Sequence, residues 1–147
     1  MFEINQLQSI YERLNGLRPA DESYLRSLED ELGISLPQDF LSAAEFFDGS
    51  GIAVLPLHAI AWSPAMNVLN ETKRLRGSVG LPEKFLVLGE PSESLLVLDC
   101  SNGQVIWCDA VDASRLGKEP LAREPENWDS YGDFLAYLLG EEEGDRN

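Results

Sequence analysis

The sequence predicts an α+β fold, an antiparallel sheet of about four to six strands with N-terminal helices and a C-terminal helix packed on it. Three observations lead there. Apolar residues recur at spacings of three and four from residue 3 to residue 47, the period of helix faces; from residue 81 the pattern changes to short runs of β-formers divided by turn residues; helical spacing returns after Ser130. Helices and strands segregated along the chain in this way belong to α+β architecture.

Over residues 3–17, Ile4, Leu7, Tyr11 and Leu14 make one helical stripe. Leu25, Leu28 and Leu32 repeat it over 21–32, where Asp21 and Glu22 near the N-terminus suit the helix dipole. Gly33 ends this helix. Leu36-Pro37 opens a third, since the first turn tolerates a residue without an N–H, and its apolar face is Phe40, Leu41, Ala44 and Phe47. Asp48-Gly49-Ser50-Gly51 breaks that helix and turns the chain into an extended segment over 52–57. A fourth helix is expected from Ser63-Pro64, with Met66, Leu69 and Leu75 facing a core, ending at Gly77 to Gly80. Its basic end, Lys73, Arg74 and Arg76, is what the dipole alone favours and does not by itself mark a phosphate site.

Phe85 to Gly89, Leu95 to Cys100 and Gln104 to Asp109 read as consecutive antiparallel strands. Leu95-Leu96-Val97-Leu98 is apolar at every position, so its strand should be covered on both faces and lie centrally. Asn102-Gly103 signals a type I′ hairpin. With the turn centred there, Ser101 faces Gln104, Cys100 faces Val105 and Val97 faces Cys108; the two cysteines then sit on opposite faces and do not bond. The stretches 111–116 and 121–123 are left open as further strands. Ser130 and Asp133 resemble a capping box for the last helix, whose stripe is Phe134, Leu135 and Leu138 before Gly140, with 141–147 a frayed acidic tail.

Leu36-Pro37-Gln38-Asp39-Phe40-Leu41, Phe46-Phe47-Asp48-Gly49-Ser50-Gly51, Leu81-Pro82-Glu83-Lys84-Phe85-Leu86-Val87-Leu88-Gly89 and Leu98-Asp99-Cys100-Ser101-Asn102-Gly103-Gln104-Val105-Ile106-Trp107, followed by Tyr131-Gly132-Asp133-Phe134-Leu135, resemble in order the motifs of the SUKH superfamily. That group includes fungal Knr-type cell-wall regulators and bacterial immunity proteins. The resemblance spans roughly residues 22–139 within a single domain of 1–147. Glu90-Pro91-Ser92-Glu93-Ser94 departs from it, lacking the glycine and asparagine common in the family at that loop. Pro37, Phe40, Gly49, Gly51, Gly89, Asn102, Gly103, Trp107 and Phe134 carry the match, and each has a structural use as helix start, turn or core aromatic. The resemblance implies a protein-binding module, commonly an immunity protein that neutralises a toxin, frequently a nuclease; the fungal members imply the alternative of a regulatory scaffold.

Charge bears on the same question. The formal charge is -15, with -7 in residues 1–52, -1 in 53–123 and -7 in 124–147. Such a surface repels phosphate backbones and anionic lipid, so neither nucleic acid nor membrane is an expected partner. Acid on helix faces serves solubility without any partner; read more sharply, it attracts a basic protein such as a cognate toxin. Asp39, Glu45 and Asp48 around the third helix are the first candidates for that contact, with Asp99, Asp109 and Asp112 behind them. The start, MFEINQLQSI, carries no basic and apolar leader, and a cytoplasmic location is expected. Two cysteines and one histidine assemble no zinc site, and no catalytic motif appears, so no cofactor, metal or enzymatic activity is expected; His58 within Leu57-His58-Ala59-Ile60 reads as a packed structural residue.

Overall fold

The computed structural model describes residues 4–64 and 66–146. The first residue of the expected 3–17 helix and the last of the expected tail lie outside them. The elements are α1 (Ile4–Asn15), α2 (Glu22–Leu32), α3 (Gln38–Ala43), α4 (Val68–Val79), β1 (Phe85–Gly89), β2 (Ser94–Asp99), β3 (Val105–Asp109), a 3-10 helix (Ala110–Arg115), β4 (Glu126–Trp128) and α5 (Tyr131–Arg146). The strands form one antiparallel sheet in the order β1-β2-β3-β4, at the lower end of the expected count.

The unbroken apolar run of β2 follows from burial on both faces. Leu96 and Leu98, with Leu86, Leu88 and Val105, point into the larger core, which α1, α2, α3 and α5 supply with Leu7, Tyr11, Tyr24, Leu28, Phe40 and Phe134. Leu95 and Val97, with Phe85, Val87 and Cys108, face a second core built with Leu75, Ala113 and Leu116. The 3-10 helix (Ala110–Arg115) takes up most of the stretch 111–116, and neither it nor 121–123 joins the sheet. The fourth strand is instead Glu-Asn-Trp at 126–128, too short and polar to be recognised from periodicity.

The hairpin between β2 and β3 has a different register from the expected one. Leu98, not Cys100, faces Val105, and Leu95, not Val97, faces Cys108. The loop spans residues 100–103 because Asp99 holds it: its amide donates to the Gln104 carbonyl at 2.8 Å, its carbonyl accepts from Gly103 N–H at 2.7 Å, and its carboxylate accepts from the Ser101 amide and hydroxyl. Gly103 has positive φ whereas Asn102 does not, so the turn is not type I′. The slip is two residues, which preserves side-chain parity. Cys108 therefore lies in the second core while Cys100 packs against the first, and both are free thiols.

Three further segments depart from expectation. Residues 52–57 form no strand: the Ala53 and Val54 amides donate to the carboxylate of Glu142 rather than to a ladder. Helix α4 starts after Asn67, whose Oδ1 accepts from the Asn70 amide at 3.1 Å and from the Tyr24 hydroxyl at 2.9 Å; the buried cap, not Ser63-Pro64, sets the boundary, and Met66 is left exposed. Helix α5 opens on Ser130, whose hydroxyl accepts from the Asp133 amide, but passes Gly140 and continues to Arg146. The expected tail is thus helix, held by Glu142 at 1% exposure.

The two edges of the sheet differ. Beside β1, the Thr72 hydroxyl accepts from Val87 N–H at 2.9 Å and His58 N–H donates to the Leu88 carbonyl at 2.8 Å. A bulge places Gly89 under the Pro56 carbonyl, 2.5 Å from where a Cβ would stand. On the opposite edge, β4 pairs only with β3 among the described residues.

Candidate functional site

An open groove of about 450 Å³ lies between α2 and α3. Spacing along α2 brings Glu22, Leu25, Arg26 and Glu29 to one stripe; Leu41, Ala44 and Glu45 face them from α3 and the turn after it, with Pro19 and Ala20 closing one end. The walls are tied together: Ala20 N–H donates to the Ala44 carbonyl at 2.8 Å, Arg18 N–H to the Phe46 carbonyl at 2.9 Å, and Leu36 N–H to the Glu29 carboxylate at 3.0 Å. Glu22 and Arg26 form a loose exposed pair at 3.6 Å. Glu45 is exposed and has no ion-pair partner among the described residues. The floor is apolar and the rim negative, the combination that accepts an apolar side chain flanked by Lys or Arg.

Of the six acids singled out in the sequence, only Glu45 belongs to this groove. Asp39 accepts from Gly132 N–H at 2.9 Å, fastening α3 to the start of α5, and Asp48 accepts from the Ser50 amide at 3.0 Å and from its hydroxyl. Asp99 is 3% exposed and paired with Lys84 at 3.1 Å. Burial opposes its ionisation, but the Ser101 and Lys84 donors outweigh that and hold its pKa below the ordinary value. Asp112, 1% exposed, meets Arg115 at 3.6 Å and the Ala122 amide at 3.3 Å. These two carboxylates are withdrawn from any docking face because they organise the hairpin and the 3-10 helix. Asp109 is partly exposed and paired with Arg123 at 3.5 Å.

The motif residues occupy packing and turn positions. Phe40 packs edge-on against Tyr131 with centroids 4.8 Å apart, Phe134 against Trp128 at 4.9 Å, Pro37 immediately precedes α3, and Asn102 Oδ1 accepts from Gln104 N–H. Gly49 and Gly51 have positive φ, and a Cβ on Gly49 would stand 2.7 Å from the His58 carbonyl. Trp107 is only half-buried, packing against the larger core beside β4.

Sequence reading missed the cluster around His58. Its Nε2 lies 2.8 Å from Glu90, which also accepts from Arg74 at 2.6 Å; Arg74 in turn reaches Glu71 at 2.8 Å. Burial disfavours the charged form of Glu90, yet the Arg74 and His58 contacts prevail and lower its pKa, while both carboxylates raise that of Arg74. Ligand atoms of His58, Glu71 and Glu90 come within 4.8 Å of one another, a spacing compatible with a metal. However, the guanidinium already bridges the two carboxylates and supplies the positive charge they call for. The cluster ties the 56–60 segment to α4 and to the loop after β1. Glu71 and Arg74, three apart on a helix, were its only visible signal. Lys73 pairs with Glu31 and Arg76 donates to the Leu32 and Glu83 carbonyls, so the basic end of α4 is consumed internally.

Fold and site together define an α+β module with open surface grooves. Residues 3–136 match the family model SUKH_5, described as SMI1-KNR4 cell-wall, and the chain belongs to that family. A crystal structure of a protein from Pseudomonas syringae pv. tomato shares the fold, with a TM-score of 0.62 and 18% identity, covering 92% of this chain and 98% of that one. No curated protein matches the chain. Among the described residues no helix is long and apolar enough to cross a membrane.

Proposed function

We propose that this chain is an acidic protein-binding module that neutralises a cognate toxin by direct contact, and that it is not an enzyme. The carrying observation is the groove between α2 and α3, with an apolar floor at Leu25, Leu41 and Ala44 and a rim of Glu22, Glu29 and Glu45 relieved only by Arg26. On a chain of net charge -15, such a groove draws a basic partner by long-range attraction and then holds it by burying apolar contact. A nuclease suits this description, since it must display cations to bind phosphate. Family membership supports the reading. The histidine cluster supports it too, because its charges are spent on one another.

The test is capture of the partner from the native strain, followed by binding and activity measurements with purified components. Stoichiometric binding that weakens as salt rises, inhibition of the partner's activity, and loss of both with Glu45→Lys are expected. Binding indifferent to salt and to Glu45→Lys would overturn the proposal. Binding that leaves the partner's activity intact would replace inhibition with a Knr-type regulatory scaffold.

A further inference from the structure

We infer that the β4 edge is a second docking surface, which takes an extended Lys- or Arg-bearing segment of a partner protein as an added strand. The asymmetry of the sheet motivates this. The β1 edge is closed by Thr72, His58 and the chain passing over Gly89, whereas β4 has β3 on one side and, among the described residues, no strand on the other. An open edge offers main-chain donors and acceptors to an incoming strand.

The surroundings state which strand is admitted. On the α5 side, Trp128 and Tyr137 lie with ring centroids 5.3 Å apart, Tyr137 is 40% exposed, and burial followed by the charges of Glu141 and Glu126 raises its hydroxyl pKa. On the same face, a depression of about 260 Å³ beside Trp107 is lined by Asp109, Glu124 and Glu126, with Arg123 as its single cation and already paired to Asp109. Side chains of an added strand alternate between this face and the opposite one. Every second side chain of that strand therefore meets both the carboxylates and the aromatic faces, which add cation–π contact. A second copy of this chain would bring its own acids against these, so self-pairing is disfavoured.

This surface is separate from the α2/α3 groove and is tested apart from it. The probe is an end-blocked octapeptide alternating lysine and valine, titrated into the full chain labelled for amide NMR, with a control peptide N-methylated at alternate residues. Saturable shifts centred on Asn127 and Trp128 are expected, with affinity at least about tenfold weaker for the control and for Glu126→Lys. Tyr137→Ala should weaken binding several-fold, and Glu45→Lys should leave it unchanged. Glu126 and Tyr137 are exposed, and unchanged amide spectra elsewhere verify that the variants fold. Absence of binding, equal binding of the N-methylated peptide, or shifts centred on α2 and α3 would each overturn the inference. None of these outcomes bears on whether a captured toxin binds through the groove. Dimerisation through β4 in sedimentation would also refute it.

Discussion

Replacing Glu142 with alanine should destabilise the protein by about 3 kcal/mol, although sequence alone assigns this residue to a solvated tail. Its carboxylate is 1% exposed and accepts from Ala53 N–H at 2.8 Å, Val54 N–H at 3.2 Å and Arg146 Nε at 3.0 Å. Hydrogen bonds to a charged group contribute roughly 1.5–3 kcal/mol each, and removing one member of a buried pair costs about 3–5 kcal/mol. Arg146 is 38% exposed on its side chain and can rehydrate, which places the expected loss at the lower end. For a chain of this size that corresponds to a fall in Tm of about 6–12 °C, measurable by calorimetry and by urea titration. Arg146→Ala should cost less, although the guanidinium also holds the Leu14 and Gly51 carbonyls. A loss below about 1 kcal/mol for Glu142→Ala would refute the reasoning, because it would mean that the 51–54 loop does not depend on this carboxylate.

The pH dependence follows from the same contacts. Burial opposes ionisation of Glu142, but the two amides and Arg146 more than compensate, and its folded pKa lies below the ordinary carboxyl value of 4.5. A depressed carboxyl pKa contributes stability that is present above the unfolded pKa and is lost as pH falls through the folded one. The difference between the native chain and Glu142→Gln should therefore be largest near neutrality and shrink below about pH 4.5.

Three further outcomes are expected. Gly89→Ala should cost about 2 kcal/mol or more in urea unfolding, since the new methyl would lie 2.5 Å from the Pro56 carbonyl oxygen and backbone must move. Glu90→Ala should lower stability by about 2 kcal/mol by leaving Arg74 and His58 without their shared partner; hydrogen exchange should quicken at His58 and its neighbours before it does in β2. Burial raises the pKa of Cys100 to about 12 and of Cys108 to about 11, so iodoacetamide at pH 8 should label neither until denaturant is added, read by intact mass.

Local periodicity determined much of this protein by itself. The stripes of α1 and α2, the central double-faced β2, the strands on either side of it, the Ser130 cap and the separation of the two cysteines all depend on side chains a few positions apart, whose spacing survives any placement in space. Even the hairpin, misjudged by two residues, kept its faces, because strand parity is indifferent to an even slip. The tertiary structure alone decided what depends on distant partners. Glu142 is buried because loop amides 88 and 89 residues away need an acceptor, and Asn67 begins α4 because Tyr24 fixes its side chain from 43 residues upstream. β4 is a strand only because β3 lies beside it. The acid count announced an electronegative chain, but which carboxylates remain for a partner was settled by packing: Asp99 and Asp112 turn inward to hold the chain, and Glu45 faces outward on the groove rim. Burying a charge requires a donor to meet it, and the sequence does not reveal where along the chain that donor lies.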